Sequence, residues 1–199
     1  MEMQRSAPAL GAAALALAGL LAAPASPASA SGSTGQGCGQ LRIDDSLPMP
    51  SAGHHARRSV VVDGNCQVTY GRVEIAKVAG IMAEPRAYRT FSDMYDCCNI
   101  LMTSLTTKTD AASSTYDTHV NREPWNAGWT VQDVARTAGA TVGTRAEFGY
   151  RGIFDPTGRW YHNTHETFVT VAADGTATCR QSVVLRHAFI GWHWEHGCS

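Results

Sequence analysis

Apolar and polar residues alternate along much of this chain with the period of strands rather than helices. Ser59-Val60-Val61-Val62 runs into Asp63-Gly64-Asn65, a hairpin turn signal, and the pattern resumes from Cys66 to Ile75. In that second run Val68 and Tyr70 share one face while Val73 and Ile75 share the other, which predicts a bulge or twist at Gly71. Pro85 forbids a continuous helix across Gly80 to Asp93, so a loop with one helical turn is expected there. Tyr95 to Thr107 is β-branched and apolar and reads as a central strand. Lys108 to Thr118 is small and polar and reads as a loop, Glu123 to Trp129 as an aromatic turn. Val131 to Thr137 fits either a strand or a short helix.

Four consecutive strands are expected in the last third, at Arg145 to Phe154, Trp160 to Val171, Thr176 to His187 and Ile190 to His196. Asp155-Pro156-Thr157-Gly158 suits a type I turn followed by a Gly bulge, and Ala173-Asp174-Gly175 looks like a second turn of that kind. Such turns set Tyr150 opposite Thr164, Phe148 opposite Glu166, Val169 opposite Cys179 and Val171 opposite Ala177. A plain two-residue loop would oppose Glu147 and Glu166, two like charges, and is disfavoured. Many strands without alternating helices point to an all-β domain, an antiparallel sandwich or barrel-like sheet.

The N-terminal segment changes the setting. Pro8 to Ala23 is nearly all Ala, Leu and Gly, and Ala28-x-Ala30 closes it with small residues. This is the pattern of a cleaved signal peptide over residues 1–30, too short for a span of about 20 apolar residues. The expected product is secreted and extracellular. Residues 31–57 read as a flexible lead-in, with Leu47-Pro48-Met49-Pro50 excluding regular structure, and 58–199 as a single β domain. Sixteen basic and seventeen acidic side chains leave a net charge of -1. A near-neutral chain has no electrostatic footprint for nucleic acid, and no membrane contact is expected after cleavage.

An oxidising compartment turns thiols into cross-links. Cys38, Cys66, Cys97, Cys98, Cys179 and Cys198 form an even set, read as disulfides that stabilise the domain. Each bridge would add ~2–4 kcal/mol. Cys97 and Cys98 should point to opposite faces of a strand and reach different partners; a strained vicinal bridge is the alternative. Cys179 with Cys198 is the preferred pair, closing the last hairpin. No Cys-x-x-Cys knuckle supports a zinc site.

Signatures of catalysis are weak. His162 with His165 and His193 with His196 stand three apart, a spacing that converges on a helix but diverges on a strand. Neither matches His-Glu-x-x-His. Glu166 with Glu195 is a conceivable carboxylate pair, but nothing in the sequence brings the two together. No nucleophile elbow or phosphate loop is present. Trp192 and Trp194 share a strand face, and Trp125 and Trp129 bracket a loop. Exposed, these four would form stacking platforms for a carbohydrate or a protein surface. The leading expectation is therefore a secreted, non-catalytic binding or interaction module. It has no cofactor and no metal, and it binds through Trp125, Trp129, Trp192 and Trp194. A small secreted hydrolase using His162, His165, Glu166 or Glu195, with or without a divalent metal, is the alternative. A disulfide-rich inhibitor or toxin presenting the Lys108–Thr118 loop is the third.

Overall fold

In a computed structural model, residues 39–79, 87–95, 101–109, 113–121, 128–151, 161–174, 176–186 and 192–199 are described. Among them the chain is all-β, with antiparallel ladders and no helix. The strands are β1 (Leu41–Pro48), β2 (His54–Val62), β3 (Val68–Tyr70), β4 (Glu74–Lys77), β5 (Tyr88–Tyr95) and β6 (Leu101–Thr109). They continue with β7 (Ser114–Val120), β8 (Trp129–Thr137), β9 (Thr141–Tyr150), β10 (Tyr161–Val171), β11 (Ala177–Arg186) and β12 (Trp192–Cys198). A five-stranded sheet runs β1-β11-β10-β9-β8 and a seven-stranded sheet runs β3-β2-β12-β5-β6-β7, with β4 also paired to β2.

The period-2 alternation explains why two sheets form and why they stack. The inner strands of each sheet bury the residues of one face, so each sheet has an apolar face that must be covered. From the five-stranded sheet come Ile43, Val183, Leu185, Ala146, Phe148, Tyr150 and Tyr161; from the other come Val60, Val62, Met94, Leu105, Trp192 and Trp194. Burying each large side chain contributes roughly 1.5–3 kcal/mol. A polar seam crosses this core. His165 is fully buried between the sheets, with Nδ1 2.7 Å from Ser92 Oγ and Nε2 3.1 Å from Thr103 Oγ1. Trp194 Nε1 donates to the same Ser92 Oγ at 2.8 Å, and Trp194 stacks on the buried His196.

Several expectations need correction. The lead-in of 31–57 contains β1 and the start of β2. β1 is held on the sheet edge by Ile43 and Leu47, which point into the core, and Pro48 is tolerated because it ends the strand. Of the expected Lys108–Thr118 loop, Lys108 and Thr109 end β6 and Ser114 to Thr118 belong to β7, an edge strand whose exposed polar residues hide its pairing. Val131 to Thr137 is strand, within β8. The expected β9–β10 register fails: Phe148 faces Asn163, Thr164 faces Glu147, and Glu166 faces Arg145. Opposing Phe148 and Glu166 would have put both on one face, burying the carboxylate or exposing the ring.

Other expectations hold. Val169 opposes Cys179 and Val171 opposes Ala177. Asp174 Oδ1 accepts from the Thr176 amide at 2.9 Å, as a tight turn requires. The run after Asp63 splits into β3 and β4, both on the edge of β2, with the break at residues 71–73. Gly71 permits this, because a Cβ there would sit 2.6 Å from Ser59 Oγ. The segment 1–30, Cys38, Cys97, Cys98, Trp125 and the Asp155–Gly158 turn lie outside the described residues.

Candidate functional site

Strand placement separates the residues singled out from the sequence. His162 and His165 lie on β10 and point to opposite faces, as do His193 and His196 on β12. Glu166 is on the outer face of the five-stranded sheet, and Glu195 is on the outer face of the seven-stranded one. They form no pair. Glu166 is consumed by its surroundings: Arg42 Nη2 and Ser182 Oγ donate to it at 2.9 and 2.7 Å, and Arg145 stands 3.6 Å away. Trp129, Trp192 and Trp194 are 5%, 4% and 0% exposed, so they are interlayer core and not a platform. Their large apolar area is worth more between two sheets than in water. Among the described residues, no three His, Cys, Asp or Glu side chains converge as a metal site would need.

Glu195 stands apart from the other candidates, because register gathers polar groups around it. Ser59 on β2 opposes Glu195 on β12, Glu195 opposes Asp93 on β5, Asp93 opposes Ser104 on β6, and Ser104 opposes His119 on β7. Side chains directly opposed on neighbouring strands share a face, so these five make one polar row across the outer surface. A parallel row beside it pairs His193 with Tyr95, ring centroids 5.8 Å apart. On the other side, Phe91 opposes Gly197, which opposes Arg57. A Cβ on Gly197 would come within 2.5 Å of the Phe91 ring, so the ring occupies the space a larger residue there would need.

Part of this surface is the floor of a groove of about 1080 Å³. Asp93, Glu195, Tyr95, Phe91 and Arg57 line the floor; Tyr88, Arg89, Ser199 and the turn of residues 49–55 form its walls. Ser104 Oγ donates to Asp93 at 2.5 Å. Arg57 lies 3.6 Å from Glu195 and 3.0 Å from Glu74, bridging floor and edge. Burial pushes the Asp93 carboxyl above its ordinary value, the Ser104 hydrogen bond offsets some of that, and the Glu195 charge adds to it. Burial, with the Asp93 and Glu195 charges behind it, pushes the Tyr95 phenol up to about 12.

A cleft holding two opposed carboxylates, guanidinium donors and three aromatic rings offers the polar and apolar groups that a ligand site uses, and makes this groove the candidate site. The chain matches no protein-family model, no curated protein and no solved structure. The function must be argued from the groove itself. Sequence reasoning singled out Glu195, as a catalytic candidate, and passed over Asp93. The missing signal was the β5–β12 pairing, which joins segments on either side of most of the domain. The serine, histidine and tyrosine of the rows follow from it.

Proposed function

We propose that the protein is an exported binding module that takes a neutral, hydroxyl-rich ligand of the oligosaccharide class in the groove of the seven-stranded sheet. The observation that carries this is the pairing of Asp93 with Glu195 on a floor shared with Tyr95, Phe91 and Arg57. Carboxylates accept from vicinal hydroxyls, guanidinium groups donate to ring and hydroxyl oxygens, and aromatic rings offer faces to the C–H side of a sugar. Mixed charge on the floor disfavours strongly anionic or cationic ligands, since each would meet a like charge. The leader of residues 1–30 supports export.

Titration of the mature protein with soluble oligosaccharides by calorimetry tests the reading. Asp93→Asn and Glu195→Gln should each weaken binding about tenfold or more, because a hydrogen bond to a charged group contributes ~1.5–3 kcal/mol. If no oligosaccharide binds, or if both variants bind like the parent, the reading fails. A second reading uses the same groove for glycoside hydrolysis, favoured by the raised proton affinity of Asp93 beside a second carboxylate. Opposed strand residues have Cβ atoms about 4.5–5.5 Å apart, so the two carboxyls rise from neighbouring points of the floor, as a glycosidase pair does. Release of reducing ends, abolished in either variant, would favour hydrolysis over simple binding.

A further inference from the structure

At one end of the interlayer space the two sheets bring sulfur to sulfur. Cys179 lies on β11 of the five-stranded sheet and Cys198 on β12 of the seven-stranded one. They are not hairpin neighbours, so a bond between them would join layers rather than close a hairpin. The two are 0% and 1% exposed and share a small cluster with Leu47 and Ala56, apart from the main core. Their thiols, both free in this structure, belong to one buried cluster, and Cys198 Sγ points at Pro48 O, 3.7 Å away.

The backbone around the pair is held on every side. Cys179 is locked in register between Leu47 and Val169, and Cys198 between Ala56 and Thr90. Gln181 Nε2 crosses between the sheets to Gly197 O at 2.9 Å, one residue from Cys198. Ser199 and Arg89 exchange amide–carbonyl bonds at 2.9 and 2.8 Å. Each ladder fixes the position of its own cysteine, and the Gln181–Gly197 bond ties the two ladders together beside the pair.

We propose that Cys179 and Cys198 form a disulfide that staples the two sheets together, and that it is made before the sheets close. The oxidant is a disulfide, either of an exported dithiol catalyst or of a small thiol. One cysteine thiolate attacks the oxidant's disulfide and expels one of its sulfurs as a thiol, leaving a mixed disulfide. The second cysteine thiolate attacks the protein sulfur of that mixed disulfide and expels the other oxidant sulfur. Two electrons and two protons pass from the protein thiols to the oxidant, which leaves as two thiols. The order follows from burial: neither sulfur is open to an incoming disulfide once the layers meet. In the closed state the neighbouring Cys198, with burial, also pushes the Cys179 thiol up, so the attacking thiolate is scarce.

The test uses the whole mature chain, refolded with reduced and oxidised glutathione. It is then unfolded with an alkylating reagent, without reductant, and digested. A peptide linking Cys179 to Cys198, with neither alkylated, is expected. The cross-linked form should melt roughly 5–15 °C above the reduced one. Chain folded under reducing conditions first, then given oxidised glutathione, should still yield both cysteines alkylated on unfolding. Alkylation of both sulfurs after oxidative refolding, or either one bridged elsewhere, overturns the staple, as does an unchanged melting point. Equally fast oxidation of the already folded chain overturns the order of events. The mapping needs no variant, so a Cys179→Ala chain that fails to fold would not obscure it.

Discussion

Three titratable groups set how stability depends on pH: His165 and Asp45 favour higher pH, and Asp93 works against them. His165 is sealed between the sheets, and burial pulls its pKa from 6.5 down to about 4, the carbonyl of Ser92 resisting slightly. Between those values the unfolded chain binds a proton that the folded chain refuses. Stability should therefore fall as pH falls from about 6.5 to about 4, by roughly 3 kcal/mol in all, and flatten below. Denaturant melts across that window check this, and His165→Gln should flatten the slope. Asp45 acts lower. Burial pushes its carboxyl up, but His196 at 3.0 Å and Arg58 at 2.9 Å outweigh this and hold it below 3.8. Its contribution is present above 3.8 and is lost as pH drops through the folded value. Asp93 is the reverse of Asp45: with its folded pKa raised, stability declines as pH rises beyond 3.8. Asp93→Asn should thus raise the melting temperature by a few degrees at neutral pH and lose that gain in acid, while weakening ligand binding. Thermal melts at both pH values, beside calorimetry, measure the trade. A residue that costs stability while it serves the groove is hard to find from sequence, because Asp93 sits in a run that reads as loop.

At the scale of elements, the glycines show where strands have no room. A Cβ on Gly197 would stand 2.4 Å from Ala56 O, in the β2–β12 ladder itself. Gly197→Ala must push two paired backbones away from each other and should cost about 1–3 kcal/mol. At Gly149 the obstacle is the Gln132 amide, 2.3 Å away at the end of an exposed, flexible side chain. Gly149→Ala lets that side chain swing out and should change stability by less than about 0.5 kcal/mol. Chemical denaturation of the two variants side by side measures the contrast. Pattern alone located β2, the core of β6, β9, β10, β11 and β12, because each alternates strongly and buries one face. It missed β1, ended by Pro48; β5, whose residues 88–93 fall in the Gly80 to Asp93 run read as loop; and β7, whose polar residues line an edge. The β10–β11 register was legible because a tight turn at Asp174 dictates it. The β9–β10 register was not: the register found places Phe148 and Tyr150 in the core, which the turn signal at Asp155–Gly158 did not foretell.

The last strand of the chain lies in the middle of the larger sheet. β12 pairs with β2 on one side and β5 on the other, although both come from the first half of the sequence. It carries Trp192, Trp194, His196 and Cys198 into the interlayer space and Glu195 onto the groove floor. Until β12 arrives, β2 and β5 have unpaired edges facing each other, and the polar row from Ser59 to His119 has a gap at its centre. Such topology is slow to fold, because long loops must close before any contact across β12 stabilises them. Removing residues 192–199 should therefore not trim the structure locally. Sheet, core and groove should be lost together, leaving a chain without a cooperative melt and with open strand edges prone to association. Near-ultraviolet circular dichroism and a thermal scan of the truncated chain decide the matter. A sharp transition with aromatic signal from Trp129 preserved would mean that the two sheets hold without their central strand.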